Sequence, residues 1–132
     1  MNDPKRIIVL QVAQGAIFHF CNVMKEYGLE AGVDFTTHCN FELVTPEIFD
    51  SERPQLLITG TVTGSLFEDT KLISLWTSIN PQLVVIGYSS DGSISSLPID
   101  KKISKMDEDH YEQVWSAIID FSRGELRRTV VS

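Results

Sequence analysis

The sequence lacks several features that mark specialised classes of protein. It has only two cysteines, Cys21 and Cys39, among 132 residues. That is too few for a disulfide framework, so we expect a reducing compartment, the cytoplasm. No apolar run approaches the roughly 18–20 residues of a membrane span. The first residues lead directly into a short apolar segment, which is not the pattern of a signal peptide. These absences predict a cytoplasmic protein without a membrane segment.

Basic residues are also scarce, since 11 Lys and Arg face 18 Asp and Glu and give a net charge of -7. An acidic surface disfavours direct binding to nucleic acid. Hydrophobic residues make up 42% of the chain and charged residues 22%, which excludes general disorder. The length fits one domain. We expect that domain over residues 1–124, with residues 125–132 as a tail or the stub of a linker.

Short apolar segments predict the strands of a sheet. Residues 6–12, 56–59 and 83–86 are nearly all apolar and rich in β-branched side chains, as in strands covered on both faces. Residues 33–40 alternate apolar and polar side chains and predict a half-buried edge strand. A short strand near 102–104 is only weakly signalled. These segments predict a five-stranded sheet.

Helical periodicity separates the strands. One helix is predicted from Gly15 to Gly28, one from the Thr45-Pro46 start, one before Asn80-Pro81, and one capped by Asp107. The inward faces of the first, third and last helices are expected to carry Ile17, Phe20, Cys21, Met24 and Tyr27; Leu72, Leu75, Trp76 and Ile79; and Tyr111, Val114, Trp115, Ile118 and Ile119. Strands that alternate with helices predict a parallel sheet with helices on both faces. Its functional site is expected at the carboxyl ends of the strands.

Three segments resemble a known family. Arg53-Pro54-Gln55-Leu56-Leu57-Ile58-Thr59-Gly60, Asn80-Pro81-Gln82-Leu83-Val84-Val85-Ile86-Gly87-Tyr88-Ser89-Ser90 and Ile103-Ser104-Lys105-Met106 are similar to the third, fourth and fifth strands of receiver domains of two-component response regulators. The resemblance covers about residues 5–121. It implies a flavodoxin-like, receiver-like three-layer sandwich around a central parallel five-stranded sheet. Residues 90–98 have no helical period, so we expect the fourth helix of that fold to be short or missing.

The chain departs from the family where phosphorylation takes place. The two acids that hold a divalent metal after the first strand are replaced by Gln11 and Val12, and valine cannot bind a metal. The phosphoacceptor position falls on Gly60 or Thr61, with no carboxylate within four residues on either side. Met106 replaces the family's proline. The chain therefore resembles a pseudo-receiver, which has the scaffold without the phosphoacceptor.

Two residues of the degenerate phosphorylation site match the family. Ser89 corresponds to the hydroxyl residue that ends the fourth strand, and Lys105 corresponds to the lysine of the fifth. Without the acids, Lys105 is expected beside a neutral pocket. We interpret the pair as a strand-end hydroxyl bound to backbone and a solvated lysine. An anion or regulatory ligand site is the alternative.

Other candidate sites were weighed against simpler interpretations. Thr61-Val62-Thr63-Gly64-Ser65 resembles a flavodoxin phosphate loop, but it follows the third strand rather than the first, so a turn with a helix cap is favoured. The three histidines, His19, His38 and His110, and the two cysteines do not have metal-ligand spacing. They are interpreted as surface histidines and core cysteines, although a Cys–His pair formed across space stays open.

These observations favour a signalling module that acts through protein contacts or self-association, without phosphotransfer, catalysis, a metal or a cofactor. It would be the regulatory domain of a larger regulator or an adaptor. Phe18 lies away from the apolar centre of its helix, and no periodic pattern assigns Leu97 or Ile99 to the core, so these three form the candidate interface. The alternative is a domain that binds a small molecule or flavin with the loops at 60–65 and 89–92.

Overall fold

The computed structural model describes residues 6–40, 42 and 44–126. Its sheet consists of five parallel strands in the order β2-β1-β3-β4-β5. The strands are β1 (Ile7–Leu10), β2 (Thr36–His38), β3 (Leu56–Thr59), β4 (Val84–Ser89) and β5 (Lys101–Ser104). The helices are α1 (Gln14–Glu26), α2 (Pro46–Ser51), α3 (Leu66–Ile79) and α4 (His110–Ser122), and a short 3-10 helix spans Gly92–Ser96. This is a receiver-like α/β fold and confirms the predicted fold class.

The alternation of side chains along each strand creates two cores. Ile7 and Val9 of β1 face the layer that contains α1 and α4, whereas Ile8 and Leu10 face the layer that contains α2, α3 and the 3-10 helix. Successive residues of a strand point to opposite faces, so four apolar residues in a row serve both layers. The continuous apolar segments of the sequence therefore correspond to strands buried on both faces.

Most of the predicted helix faces are confirmed, with three corrections to the predicted helices. Tyr27 was expected inward, but it follows the last residue of α1 and is 39% exposed, with its ring stacked on that of Trp115 at 5.5 Å. Leu75 was expected inward, but it is 44% exposed. It lies about 100° around α3 from Trp76, which stacks on Phe49 of α2 at 5.1 Å and fixes the buried face of the helix. The last helix was expected to be capped by Asp107. It begins at His110 after Asp109, and the Asp107 carboxylate accepts a hydrogen bond from Gln113 instead.

Between β4 and β5 the structure contains only the 3-10 helix. This confirms that the helix expected between the fourth and fifth strands of the receiver-like fold is short. This segment also corrects part of the predicted interface. Leu97 is 5% exposed and belongs to the α2–α3 core, and half-buried Ile99 packs against the same core. Periodicity could not assign them because the packing comes from an irregular segment folded back over Gly87, a residue without a side chain.

The folded unit reaches beyond the expected boundary at Gly124. Glu125 donates a backbone hydrogen bond to Asp120, and Leu126 packs against the α1–α4 core. Residues 127–132 of the predicted tail lie outside the described residues. Within the ranges that the structure describes, no helix is long and apolar enough to cross a membrane.

Candidate functional site

Backbone hydrogen bonds extend the sheet ladder into the positions that were predicted to form the site. The N–H of Gln11 donates to the carbonyl of His38 at 3.0 Å, that of Gly60 to Leu10 at 3.2 Å, and that of Lys105 to Ser89 at 3.1 Å. Because the strands are parallel, these positions meet at one edge of the sheet. The structure therefore brings Gln11, Gly60, Ser89 and Lys105 together as predicted.

The side chain of Gln11 lies at the centre of this edge. It is buried, and its Nε2 donates to the backbone carbonyl of Leu10 at 3.0 Å and of Tyr88 at 3.3 Å. Its Oε1 accepts a hydrogen bond from Nζ of Lys105. Among the described residues, no contact of Lys105 with a carboxylate is observed. Lys105 therefore lies beside a neutral amide, and it is held by Gln11 rather than simply solvated.

Gly60 is one of the two residues, with Thr61, that were predicted to correspond to the family's phosphoacceptor. A Cβ added at Gly60 would lie 3.2 Å from the carbonyl oxygen of Tyr88 and 3.4 Å from Nε2 of Gln11. The distance to the Tyr88 carbonyl is tighter than most Cβ contacts and the distance to Gln11 is an ordinary van der Waals contact, so both groups pack directly against Gly60. Gly60 and the buried side chain of Gln11 are thus in direct contact.

Tyr88 and His110 complete the cluster. The buried ring of Tyr88 lies 4.8 Å from Nζ of Lys105, and its hydroxyl is 2.5 Å from Nδ1 of His110. Burial, with a smaller contribution from Tyr111, raises the pKa of the Tyr88 phenol. Burial also lowers the pKa of Lys105. Burial and the nearby Lys105 ammonium lower the pKa of His110 against the opposing effect of Asp107 and Asp109.

No pattern in the sequence places His110 in this cluster. It was interpreted as a surface histidine, but it is half-buried and bound to Tyr88. Helical position alone could not show this contact because it joins the start of α4 to the middle layer of the fold. The remaining site positions are less central: Ser89 is buried and accepts a hydrogen bond from the N–H of Asp91, Thr61 is half-buried, and Val12 is exposed.

The loop between β3 and α3 is held by a residue that the sequence analysis missed. The carboxylate of buried Asp69 accepts hydrogen bonds from the backbone N–H groups of Val62 and Thr63 and from the Thr63 hydroxyl. Ser65 caps α3 by accepting from the N–H of Glu68. Several donors of this loop are therefore already bonded, and a carboxylate lies beside them, which favours a turn and cap over a phosphate site.

The cysteines and histidines do not form a reactive group in the described part of the chain. Cys21 and Cys39 are free and half-buried, and burial raises the pKa of the Cys21 thiol, which disfavours the reactive thiolate. His19 contacts the ring of Tyr111 edge-on at 5.5 Å. Over residues 6–40, 42 and 44–126, no group of three His, Cys, Asp or Glu residues could hold a metal ion.

Comparison with solved structures identifies the same fold in bacterial proteins. No protein-family model matches the chain, and no curated protein matches it. The Salmonella typhimurium RcsB response regulator matches with a TM-score of 0.69 and 14% identity over 96% of this chain and 63% of that one. A Burkholderia thailandensis protein ascribed to pilus assembly, CpaE, matches with a TM-score of 0.64 and 11% identity over 86% and 97%.

A third similar structure is the CheY-like protein TadZ of Pseudomonas aeruginosa, with a TM-score of 0.57 and 10% identity over 86% of this chain and 98% of that one. At such identities the similarity establishes the receiver-like fold. It does not assign a function, because one fold can carry many functions.

Proposed function

We propose that the chain is a receiver-fold signalling module that does not accept a phosphoryl group and that acts through contacts with other proteins. It serves either as the regulatory domain of a larger regulator or as an adaptor. The observation that carries this proposal is the side chain of Gln11, which packs against Gly60 and binds Lys105.

The chemistry of aspartyl phosphate formation explains why this arrangement matters. A carboxylate oxygen must attack phosphorus, and a divalent cation with oxygen ligands must balance the charge of the transferred group. Glycine has no nucleophile, and Gln11 offers one neutral amide oxygen that is already bonded to Lys105. In the part of the chain that the structure describes, Gly60 and Gln11 therefore supply neither part of the reaction.

The similar structures support a role in regulation or assembly. One is a response regulator and another is ascribed to pilus assembly. If this chain shares such a role, its state is set by a partner that binds one conformation better than another, since phosphate is not available to bias the equilibrium.

Treatment with a small phosphodonor tests the proposal. We expect acetyl phosphate with magnesium to leave the intact mass of the protein unchanged, and beryllofluoride with magnesium to leave its amide NMR spectrum unchanged. An active receiver domain treated in parallel shows that the reagents work. A magnesium-dependent phosphoryl adduct on this chain would contradict the proposal.

A further inference from the structure

Lys105 carries a positive charge that the described part of the protein does not neutralise by direct contact with a carboxylate. An ammonium has three N–H donors, and the observed hydrogen bond to Gln11 uses one of them. The ring face of Tyr88 covers another side of the ammonium. Lys105 is half-buried, so water solvates it only in part. A charge in this position favours a carboxylate more strongly than a fully solvated lysine does.

Exposed apolar side chains flank this charge. Val12 follows Gln11 and is 50% exposed, and Met106 follows Lys105 and is 77% exposed. The hydrogen bond between Gln11 and Lys105 brings these two loops together. We call Gln11, Val12, Lys105 and Met106 the carboxyl-edge patch. It therefore combines a half-buried cation with an exposed apolar side chain in each of the two loops.

Two of the three acidic residues that follow the patch are engaged elsewhere. The carboxylates of Asp107 and Asp109 both accept hydrogen bonds from Nε2 of Gln113 in α4. These bonds direct the two carboxylates toward the helix rather than toward Lys105. Since the net charge of the chain is -7, long-range repulsion would oppose acidic partners in general. A partner must therefore place its carboxylate directly on Lys105 to be selected.

We propose that the carboxyl-edge patch binds a segment of a partner protein in which an Asp or Glu side chain lies between apolar residues. The partner carboxylate pairs with Lys105, and its apolar neighbours cover Val12 and Met106. Charge complementarity at a half-buried, solvent-shielded position gives the specificity, and the apolar contacts give additional affinity. This inference rests on the proposed function, because it names the partner chemistry of the same edge of the sheet.

A random peptide library displayed on phage tests the inference without assuming a sequence. We expect selection on the intact protein to enrich peptides with Asp or Glu between apolar residues. The best peptide is then synthesised with its acid and with the matching amide, Asn or Gln. The amide form should bind about tenfold more weakly, the loss expected for one charge-assisted hydrogen bond.

Variants of the protein provide matched controls. Lys105→Met should weaken binding of the acidic peptide by about tenfold. Lys102→Met removes an exposed lysine of the adjacent strand β5 and should not change the affinity of that peptide. Met106→Gln should also weaken binding. Val33→Gln should not, because Val33 is 51% exposed but precedes β2 and so lies toward the opposite edge of the sheet.

Amide NMR on the wild-type protein gives a readout that does not depend on any variant folding. The acidic peptide should shift the signals of residues 11–13 and 105–107. The inference would be overturned if the phage selection enriched basic peptides or none. It would also be overturned if the acid and amide peptides bound equally, or if the NMR shifts were confined to another face of the protein. If the peptide experiments fail but the mass of the protein is unchanged after treatment with acetyl phosphate, the inference about the patch is wrong and the proposed function is retained. The two experiments therefore distinguish failure of this inference from failure of the proposed function.

Discussion

Gln11 uses both ends of its amide to join three parts of the sheet edge. Its nitrogen donates to the carbonyls of Leu10 and Tyr88, and its oxygen accepts from Lys105. A buried polar group is stable only when such partners are present. At the scale of single residues, a glutamine at this position therefore forms contacts that an acid could not, because the amide can donate hydrogen bonds that a carboxylate cannot.

Removing this amide should destabilise the fold through Lys105. Gln11→Leu leaves the ammonium half-buried without its hydrogen-bond acceptor, and we expect the free energy of unfolding to fall by about 1–3 kcal/mol. In the double variant Gln11→Leu/Lys105→Met no ammonium is left unpaired, so part of that loss should be recovered. Urea denaturation of the four proteins in this cycle measures the coupling. Strictly additive effects would show that the two side chains do not interact energetically.

His110 should make the protein less stable in mild acid. Its pKa in the folded state is lowered from 6.5, mainly by burial and then by Lys105. Below about pH 6.5 the unfolded chain therefore binds a proton that the folded chain does not, and stability is lost until the folded pKa is passed. The pKa of His38 is lowered in the same direction, by burial.

Denaturation between about pH 7.5 and about pH 5.5 tests this expectation. His110→Gln should reduce the loss of stability over that range, and His38 should account for part of the remainder. An NMR titration of His110 with a midpoint above its ordinary value would contradict the sign of the effect.

At the scale of elements, the segment between β4 and β5 depends on a glycine in the adjacent strand. A Cβ at Gly87 would lie 2.7 Å from Cγ1 of Ile94 and 2.8 Å from Cδ1 of Ile99. Ile94 is buried and Ile99 is half-buried, so neither can move without disturbing the core. The missing side chain allows the segment that contains the 3-10 helix to pack closely against this part of β4.

Gly87→Ala should therefore overpack the core and lower the free energy of unfolding by about 1–3 kcal/mol. Gly92→Ala is the matched control, because a Cβ at Gly92 meets no atom within 4 Å. Its effect should stay within about 0.5 kcal/mol. Chemical denaturation of both variants measures the difference, and equal effects would show that the contact with β4 does not set the cost.

At the scale of the whole molecule, the two cores on opposite faces of the sheet determine which apolar residues remain exposed and so can form an interface. Phe18 is 71% exposed on α1, whereas Leu97 is buried. The sequence suggested both as interface residues. After the fold is known, only Phe18 retains the exposure that an interface requires, and its role stays a prediction.

Charged substitutions at these two positions should separate surface from core. Phe18→Asp should change the free energy of unfolding by less than about 0.5 kcal/mol, because the side chain is mainly in water. Leu97→Asp should lower it by more than about 2 kcal/mol, because it places a carboxylate in an apolar environment. Thermal unfolding followed by circular dichroism provides the measurement. A stable Leu97→Asp protein would show that this segment detaches from the core at little cost.

Phe18 remains the residue with which to test self-association. We expect sedimentation of wild type and Phe18→Asp to differ if α1 forms an interface between copies, since a carboxylate in an apolar contact is unfavourable. Identical sedimentation of two folded proteins would remove self-association through Phe18.

The sequence by itself determined the elements and their order. Apolar segments such as residues 56–59 bury all of their side chains only when both faces of the strand are covered. The helical segments between them are long enough for the crossover connections that parallel strands need. It also determined that Gln11, Gly60, Ser89 and Lys105 would meet, because residues that follow parallel strands share one edge.

Tertiary structure alone decided how those positions are used. Spacing could not show that Gln11 fills the space beside Gly60, that Tyr88 binds His110, or that Asp69 holds the loop after β3, since each contact depends on side-chain directions set by the packing of separate elements. It also decided that Leu97 belongs to the core and that half-buried Ile99 packs against it. Periodicity reports burial only where the backbone is regular, and these residues follow a 3-10 helix in an irregular segment.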